Sequence, residues 1–252
     1  MNERATHEIY NHEADNWSRS EPTLLSDYTA RPFLLKWSEP FLQGDVLDLG
    51  CGEGYVSRNL ALRGCRSLTG VDMSAGMIDR AVAREEQEPL GIRYLVADAR
   101  DLSVLESARY DLVLAVFLFN YLDLSGTTQV LSEVHRRLRP GGTLILSVPH
   151  PLIPFLPLPE ERFGFEPQGG YFSGRDQTFE GTIARRDGMR LPVRCVHKTL
   201  QDLLGALSTA GFQSMPEVVE LGVTEDHLRL DPEFFAPLYD RPLHLAIRIQ
   251  KP

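Results

Sequence analysis

Apolar and polar positions alternate along the first two thirds of the chain as short apolar runs separated by helical stripes. The apolar runs lie at about 45–49, 68–72, 92–97, 110–117 and 143–148 and predict five strands. Helices are predicted at about 53–63, from Ser74 to Pro89, at about 127–138 and after Thr199. Tyr110 to Phe117 is almost continuously apolar, as expected for a strand buried on both faces. Strands that alternate with helices predict an α/β fold with a Rossmann-like, doubly wound, mainly parallel sheet.

The pattern changes after Val148. Residues 150–174 are rich in Pro, Gly and Phe without a clear period, and the next two strand patterns predict a hairpin turning at Asp187-Gly188. Thr199 and Asp202 form a capping box for a helix, and segments 212–221 and 243–250 complete a seven-stranded sheet. The predicted parts of a single domain over 1–252 are a helical N-terminal cap at 1–40, a ligand-binding core at 41–149, a lid or hairpin insertion at 150–198, and the C-terminal part of the sheet at 199–252.

A glycine turn follows the first strand in the segment Val46-Leu-Asp-Leu-Gly-Cys-Gly-Glu-Gly54. Glycine lets the backbone approach a ligand closely, and the following helix start offers unpaired N–H groups. A dinucleotide fingerprint needs its third glycine at position 55, which is Tyr55, and a P-loop needs a lysine that is missing here. Asp48, inside the strand, would repel an anion and suits a ligand that carries an amine or a sulfonium.

Acidic residues end the next two predicted strands. Asp72 lies about 20 residues after the glycines, the spacing at which a carboxylate meets ribose hydroxyls. A carboxylate accepts hydrogen bonds from two vicinal hydroxyls at once. Asp98 ends the third strand in the same way, although it also fits an ordinary polar loop.

These motifs, in this order over roughly Leu42 to Pro149, resemble the class I S-adenosylmethionine (SAM) dependent methyltransferases. The resemblance implies a single methyltransferase domain that binds SAM and releases S-adenosylhomocysteine. The residues it places at the cofactor are Tyr10, Asp48, Gly50, Cys51, Gly52, Gly54, Asp72, Met73, Met77, Asp98, Ala99, Ala115 and Phe117. Aromatic faces of Tyr10, Trp17 and Tyr28 would suit the sulfonium cation, although all three equally fit the core of the cap.

Net charge and cysteine content further restrict the partners and the cellular setting expected for the protein. A net charge of −9 disfavours a nucleic-acid partner, and Arg136, Arg137 and Arg139 fit the end of a helix better than a phosphate patch. The three cysteines form no C-x-x-C pair, so no metal site is predicted, and a reducing cytoplasmic setting is expected. No apolar run is long enough to span a bilayer. The expected partner is a small molecule, bound by a monomer or homodimer.

The candidate polar side chains near the methyl group of SAM are Asn120 and Tyr121, which follow the fourth strand, and His150, which follows the fifth strand. His150 is placed to act as a general base, or it only orders a His-Pro loop. The aromatic residues of the insertion predict an apolar lid over a small, flat substrate. The Tyr171-Phe172 and His197-Lys198-Thr199-Leu200 segments resemble a branch that methylates metabolites and natural products.

Several functions stay open on sequence alone. Methyl transfer to N or O of a small aromatic or heterocyclic metabolite is favoured. The alternatives are a nicotinamide-dependent oxidoreductase, a SAM-binding protein without methyl transfer, and a methyltransferase acting on a macromolecule. The glycine spacing, Asp48 and the absence of a Tyr-x-x-x-Lys pair weigh against the oxidoreductase.

Overall fold

The structure, a computed structural model, describes residues 21–160 and 162–252. The helices of this part are α1 Leu25–Thr29, α2 Arg31–Ser38, α3 Tyr55–Leu62, α4 Ala75–Gln87, α5 Leu124–Arg137, α6 Leu200–Thr209, α7 Glu225–Leu230 and α8 Pro232–Phe235. The strands are β1 Asp45–Leu49, β2 Ser67–Asp72, β3 Ile92–Val96, β4 Tyr110–Val116, β5 Leu138–Pro149, β6 Phe163–Glu166, β7 Thr178–Ala184, β8 Arg190–Val196, β9 Glu217–Leu221 and β10 His244–Gln250.

Seven strands form one sheet in the order β3-β2-β1-β4-β5-β10-β9, which confirms the predicted Rossmann-like α/β fold. Strand β10 runs antiparallel to both β5 and β9, whereas the pairs among β1 to β5 are parallel. The chain order reverses direction between β1 and β4, so the ligand crevice of this architecture is expected at the carboxyl ends of these two strands.

Side chains from both faces of this sheet form the core. In β1, Val46 joins a cluster with α2 and α3, while Leu47 joins one with α5 and α6. Both residues have no exposed surface, in accord with a strand covered on both sides. This burial holds the ends of the central strands rigidly and therefore fixes the position of any group that follows them.

The insertion after β5 folds into a second sheet of β6, β7 and β8. The β7–β8 hairpin is present as predicted, whereas β6 and the short helices α7 and α8 were not predicted from the pattern. A separate apolar cluster that includes Leu25, Ile153, Phe163 and Phe235 joins α1 and α8 to this second sheet. The N-terminal cap and the insertion therefore pack on each other over one edge of the main sheet.

The predicted boundary between α5 and β5 differs in detail. The segment Pro140-Gly141-Gly142 was expected to separate the helix from the strand, but β5 begins earlier, where Leu138 pairs with Tyr110. The ladder shifts register between Tyr110 and Leu112, and a Cβ on Gly142 would lie 2.8 Å from the Tyr110 carbonyl oxygen. The glycine therefore permits a close irregular pairing that a periodicity argument does not reveal.

The arginines near the end of α5 have structural partners. Arg137 is buried and pairs with Glu133 at 2.9 Å, and it also donates to the Leu105 carbonyl at 2.8 Å. Arg136 pairs with the same carboxylate and Arg139 with Asp111. The interpretation that this cluster is not a phosphate patch is supported by these ion pairs.

Candidate functional site

The glycine loop after β1 is tied to the end of β2. The backbone N–H groups of Gly50 and Cys51 both donate to the Val71 carbonyl, at 2.8 and 3.0 Å. Gly54 adopts a left-handed φ of 86°, and a Cβ there would overlap the Tyr94 hydroxyl. Gly52 is also left-handed, but nothing lies within 4 Å of where its Cβ would be. The loop therefore has a packed side and an open side on which a ligand can rest against the backbone.

Asp72 at the end of β2 faces this loop. Its Oδ2 accepts from the Gly52 N–H and its Oδ1 from the Ser74 N–H, both at 2.9 Å. The Ser74 hydroxyl in turn accepts from the Met77 N–H at the start of α4, as predicted for a helix cap. These two bonds from backbone N–H groups fix the orientation of the carboxylate at the glycine loop.

Asp48 lies beneath the loop and is fully buried. Its Oδ2 accepts from the Ser57 hydroxyl at 2.6 Å. The pKa of this carboxyl is raised to about 6, mainly by burial and to a smaller extent by the charge of Asp72. The hydrogen bond from Ser57 and the charge of Arg31 partly oppose this rise. A nearby cation would stabilise the ionised form of such a buried carboxylate.

The remaining predicted cofactor residues lie along the same edge with different surroundings. The Asp98 carboxylate is bound by the Arg100 side chain in three hydrogen bonds, so its acceptor sites face an arginine. Met73 is 42% exposed beside Asp72, whereas Met77 is buried in the apolar stripe of α4. Ala99 packs on the core, and Ala115 is fully buried within β4, where its side chain belongs to the core.

Phe117 after β4 connects the loop to a second region. It is not a glycine, yet its φ is +58°, a strained value that a non-glycine residue adopts only when its surroundings impose it. The next residue, Leu118, lies 3.2 Å from where a Cβ on Gly50 would be. The Phe117 ring lies under the Arg31 guanidinium, 5.1 Å from its centroid, and against the His244 ring at 5.3 Å between centroids.

Phe117 also lines a large cavity of about 770 Å³, including the part open to solvent. The main sheet, α1 and the second sheet enclose it. Its apolar wall includes Leu24, Leu25, Phe117, Tyr121, Pro149, Ile153, Phe163, Phe165, Phe179, Ile183, Ala184, Val193 and Cys195. Of the aromatic residues predicted to form a lid, Phe163, Phe165 and Phe179 lie here, while Phe172 is 79% exposed.

Four polar side chains line this large cavity with the apolar residues: Ser26, Arg31, Asn120 and His244. Arg31 pairs with the buried carboxylate of Asp27 at 2.9 Å. The Nε2 of His244 lies 2.9 Å from the Thr29 hydroxyl oxygen. Burial, together with the charges of Arg31 and His150, lowers the pKa of His244 to about 3. At neutral pH this imidazole is therefore uncharged.

A smaller cavity of about 360 Å³ lies beside the first and shares Asn120 and Cys195 with it. His150, His197 and Lys198 line only this smaller cavity. The Nε2 of His150 is 2.8 Å from Glu220 Oε1, and its Nδ1 accepts from the Leu152 N–H at 3.2 Å. Both ring nitrogens of His150 are therefore engaged by the protein.

His197 and Lys198 are also bound by the backbone. His197 Nε2 lies 2.8 Å from the Tyr171 carbonyl oxygen, and Lys198 donates to the carbonyls of Leu122 and Val196. Burial lowers the pKa of Lys198 to about 8. Their contacts explain how the segment that leads into α6 is held.

Some predicted residues lie elsewhere. Tyr10 and Trp17 fall outside the described residues. Tyr28 packs edge-on against Phe235 at 5.5 Å and donates from its hydroxyl to the Pro22 carbonyl, so it belongs to the cap and α8. Among residues 21–160 and 162–252, no group of three or more His, Cys, Asp or Glu side chains forms a possible metal site. None of the helices in these segments has the length and apolar character of a membrane span.

Sequence reasoning missed Arg31 and His244. Arg31 lies in the cap without a recognisable motif. His244 begins β10, where it pairs with Pro149 at the end of β5. Because β10 runs antiparallel to β5, its first residue lies at the carboxyl edge of the parallel strands. Only the strand direction reveals this position.

The geometry agrees with the comparisons to known proteins. Residues 46–142 match the family model described as a methyltransferase domain. A crystal structure of a SAM-dependent methyltransferase from Mesorhizobium loti superimposes with a TM-score of 0.65 at 27% identity, covering 89% of this chain and 99% of that one. Residues 46–142 therefore form a methyltransferase domain, and the chain is similar over most of its length to the S-adenosylmethionine-dependent methyltransferase of Mesorhizobium loti. SAM is accordingly the candidate cofactor for this edge of the sheet.

Two curated relatives add context for the methyltransferase. The ubiquinone biosynthesis O-methyltransferase of Coxiella burnetii is 31% identical over 137 residues, which cover 53% of this chain and 57% of that protein. The match thus spans little more than half of that relative. An uncharacterized protein of Haemophilus influenzae is 27% identical over 241 residues, covering 92% of this chain and 91% of that protein.

Proposed function

We propose that this protein transfers the methyl group of SAM to an N or O atom of a small, flat and largely apolar molecule. The observation that carries the proposal is the junction at Phe117. Leu118 packs against Gly50 of the glycine loop, and the adjacent Phe117 lines a cavity whose wall is largely apolar. An enzyme that moves one carbon between two molecules needs two such adjoining sites.

The residues present fit the cofactor. The Asp72 carboxylate, held at the loop by the Gly52 and Ser74 N–H groups, is proposed to accept hydrogen bonds from the ribose hydroxyls, and the open side of Gly52 admits the nucleoside close to the backbone. Met73, Asp98 and Ala99 are proposed to meet the adenine, which requires Asp98 to exchange part of its contact with Arg100. Arg31, which acts electrostatically on both Asp48 and His244, suits the carboxylate of the methionine part.

When bound, SAM supplies a methyl group already activated by the sulfonium. The protein then has to orient the acceptor in line with the methyl, exclude water and accept a proton where the acceptor has one to lose. The cavity is proposed to orient the acceptor and, once SAM and the acceptor are bound, to exclude water from the methyl group. Asn120 and Tyr121 line it and are proposed to contact the acceptor. His150 lines the smaller cavity with both nitrogens engaged, so its geometry favours ordering of the His-Pro segment over a base role.

The test is a calorimetric titration with S-adenosylhomocysteine, with NAD as a control ligand, followed by acceptor screening with methyl-labelled SAM. We expect micromolar binding of S-adenosylhomocysteine, no binding of NAD, and label transfer to small aromatic or heterocyclic acceptors. Binding of NAD alone would overturn the proposal. Binding of S-adenosylhomocysteine without label transfer to any acceptor would favour a SAM-binding protein that does not methylate.

A further inference from the structure

The large cavity contains two buried polar atoms that lack a hydrogen-bond partner among the described residues. They are Nδ1 of His244 and Oδ1 of Asn120. The two side chains are only 6% and 7% exposed, and both line the cavity wall. A buried polar atom without a partner costs free energy, so such atoms point to a group that the bound state provides.

The hydrogen bonds around His244 decide which kind of group it needs. The Thr29 hydroxyl donates to the Leu25 carbonyl at 2.9 Å, so its only proton is used. The same oxygen therefore accepts from Nε2–H of His244 at 2.9 Å. Since the imidazole is uncharged, the proton sits on Nε2 and Nδ1 carries a lone pair. His244 presents an acceptor, not a donor.

Asn120 presents the same kind of atom. Its Nδ2 contacts Cys195 Sγ at 3.7 Å, and Oδ1 is the atom left over. Burial raises the pKa of the Cys195 thiol to about 11, so the sulfur is uncharged at neutral pH. Two uncharged acceptors therefore share one cavity, and each needs a donor from the ligand.

Within the described lining, the basic side chains are His244 and Arg31. Arg31 pairs with Asp27 at 2.9 Å and is proposed above to hold the methionine carboxylate of SAM, so its charge is not available to a second carboxylate. A carboxylate acceptor would therefore meet two lone pairs and a cation that is already paired. A neutral molecule with O–H groups would instead satisfy both lone pairs.

Resting on the proposed function, we infer that the methyl acceptor is a hydroxylated aromatic compound, with His244 Nδ1 and Asn120 Oδ1 as the acceptors of its O–H hydrogen bonds and His244 as the proton acceptor. A lone pair of the substrate oxygen forms the new bond to the methyl carbon. The C–S bond breaks and its electron pair stays on sulfur, which becomes a neutral thioether. The O–H proton passes to Nδ1 of His244 and leaves to solvent with product release.

A weak base is sufficient for this step. As the methyl group is transferred, the substrate oxygen gains positive character and its proton becomes strongly acidic. The imidazole therefore has to accept the proton only late in the step, when the transfer is downhill. An imidazole kept neutral by its surroundings is always available in that form.

Two substitutions at one position separate the acceptor role from a structural role. In His244→Gln the amide reaches the position of Nε2 and keeps a partner for Thr29, but Nδ1 is lost. In His244→Asn the amide oxygen lies near the position of Nδ1, so it can still accept a hydrogen bond but cannot take up a proton. Asn120→Leu keeps a side chain of similar size but removes Oδ1. Leu204→Ala, on α6 and outside the cavity lining, is the control for a general loss of core packing.

The experiment uses the full chain saturated with S-adenosylhomocysteine and a panel of matched aromatic probes: catechol, its dimethyl ether and benzoate. We expect catechol to bind at least tenfold more tightly than the other two, and His244→Gln and Asn120→Leu each to weaken it at least fivefold. With labelled SAM, His244→Asn should keep KM for catechol within about threefold while kcat falls at least tenfold.

The inference fails if S-adenosylhomocysteine binds but catechol binds no better than its ether or benzoate, or not at all. It also fails if catechol affinity is unchanged in both His244→Gln and Asn120→Leu. If S-adenosylhomocysteine itself does not bind, the proposed function fails first, so the two failures are distinguishable.

Discussion

The backbone N–H of Gly52 donates to Oδ2 of Asp72 at 2.9 Å, which joins the turn after β1 to the end of β2. This bond connects residues that are 20 positions apart. It orients the carboxylate toward the open side of the glycine loop, so the same residue shapes the loop and offers acceptors to a ligand. Loop geometry and cofactor affinity should therefore change together when Asp72 is altered.

We expect Asp72→Ala to weaken S-adenosylhomocysteine binding more than tenfold, equal to about 1.4 kcal/mol. The substitution removes both the acceptors for ribose and the bond to Gly52. Calorimetric titration measures the effect, and Asp79→Ala, at an exposed position of α4, is the matched control. An unchanged dissociation constant in a folded Asp72→Ala protein would remove Asp72 from the cofactor site.

Gly54 and Gly64 provide a matched pair, with φ values of 86° and 88°. At Gly64 nothing lies within 4 Å of an added Cβ, so Gly64→Ala should cost only the left-handed strain of about 1–2 kcal/mol. At Gly54 the Cβ would also overlap the Tyr94 hydroxyl, so Gly54→Ala should be more destabilising and should weaken S-adenosylhomocysteine binding. Urea unfolding and titration test both effects. Adding Tyr94→Phe should restore part of the loss in Gly54→Ala, and equal costs at the two glycines would contradict the packing argument.

Asp48 should make the stability of the ligand-free protein depend on pH. Its pKa is raised from 3.8 to about 6 in the folded state, so between these values the folded protein binds more protons than the unfolded chain. Stability from this group is therefore lost as the pH rises through about 6, by about 3 kcal/mol. Asp48→Asn lacks this loss, so the unfolding free energy of the variant relative to that of the native sequence should increase by about 2.4 kcal/mol between about pH 4 and 7. Urea unfolding at several pH values measures the difference.

The same carboxyl should distinguish SAM from S-adenosylhomocysteine. The two ligands differ in the sulfonium charge, and ionised Asp48 favours the cation. The ratio of the SAM affinity to the S-adenosylhomocysteine affinity should fall as the pH drops below about 6. Asp48→Asn should make the ratio independent of pH. A constant ratio in the native sequence would place the sulfonium away from Asp48.

Arg137 and Arg136 test whether the basic cluster of α5 is structural. The Arg137 side chain is 6% exposed and that of Arg136 is 58% exposed, although both pair with Glu133. Removing the buried partner leaves a buried carboxylate less compensated, so Arg137→Leu should lower the unfolding free energy by about 3 kcal/mol. Arg136→Ala should change it by no more than about 0.5 kcal/mol. Similar effects in urea unfolding would argue against the difference in burial as the cause.

The sequence by itself determined the seven strands of the main sheet, their alternation with helices and the residues that follow each parallel strand. These features are local, because apolar periodicity, helix caps and glycine turns act over a few residues. In a parallel sheet the carboxyl ends of neighbouring strands meet at one edge, so Asp48, Asp72 and the loop glycines were found without coordinates. Their roles in binding remain predictions.

Tertiary structure alone decided which polar atoms line the large cavity. His150 and His244 both occur near strand ends in the sequence, but packing engages both nitrogens of His150 and leaves Nδ1 of His244 without a partner among the described residues. His244 meets Thr29 across 215 residues, and it reaches this edge because β10 runs antiparallel to β5. Strand direction and contacts between distant residues depend on how the whole core packs, and a local pattern carries no information about either.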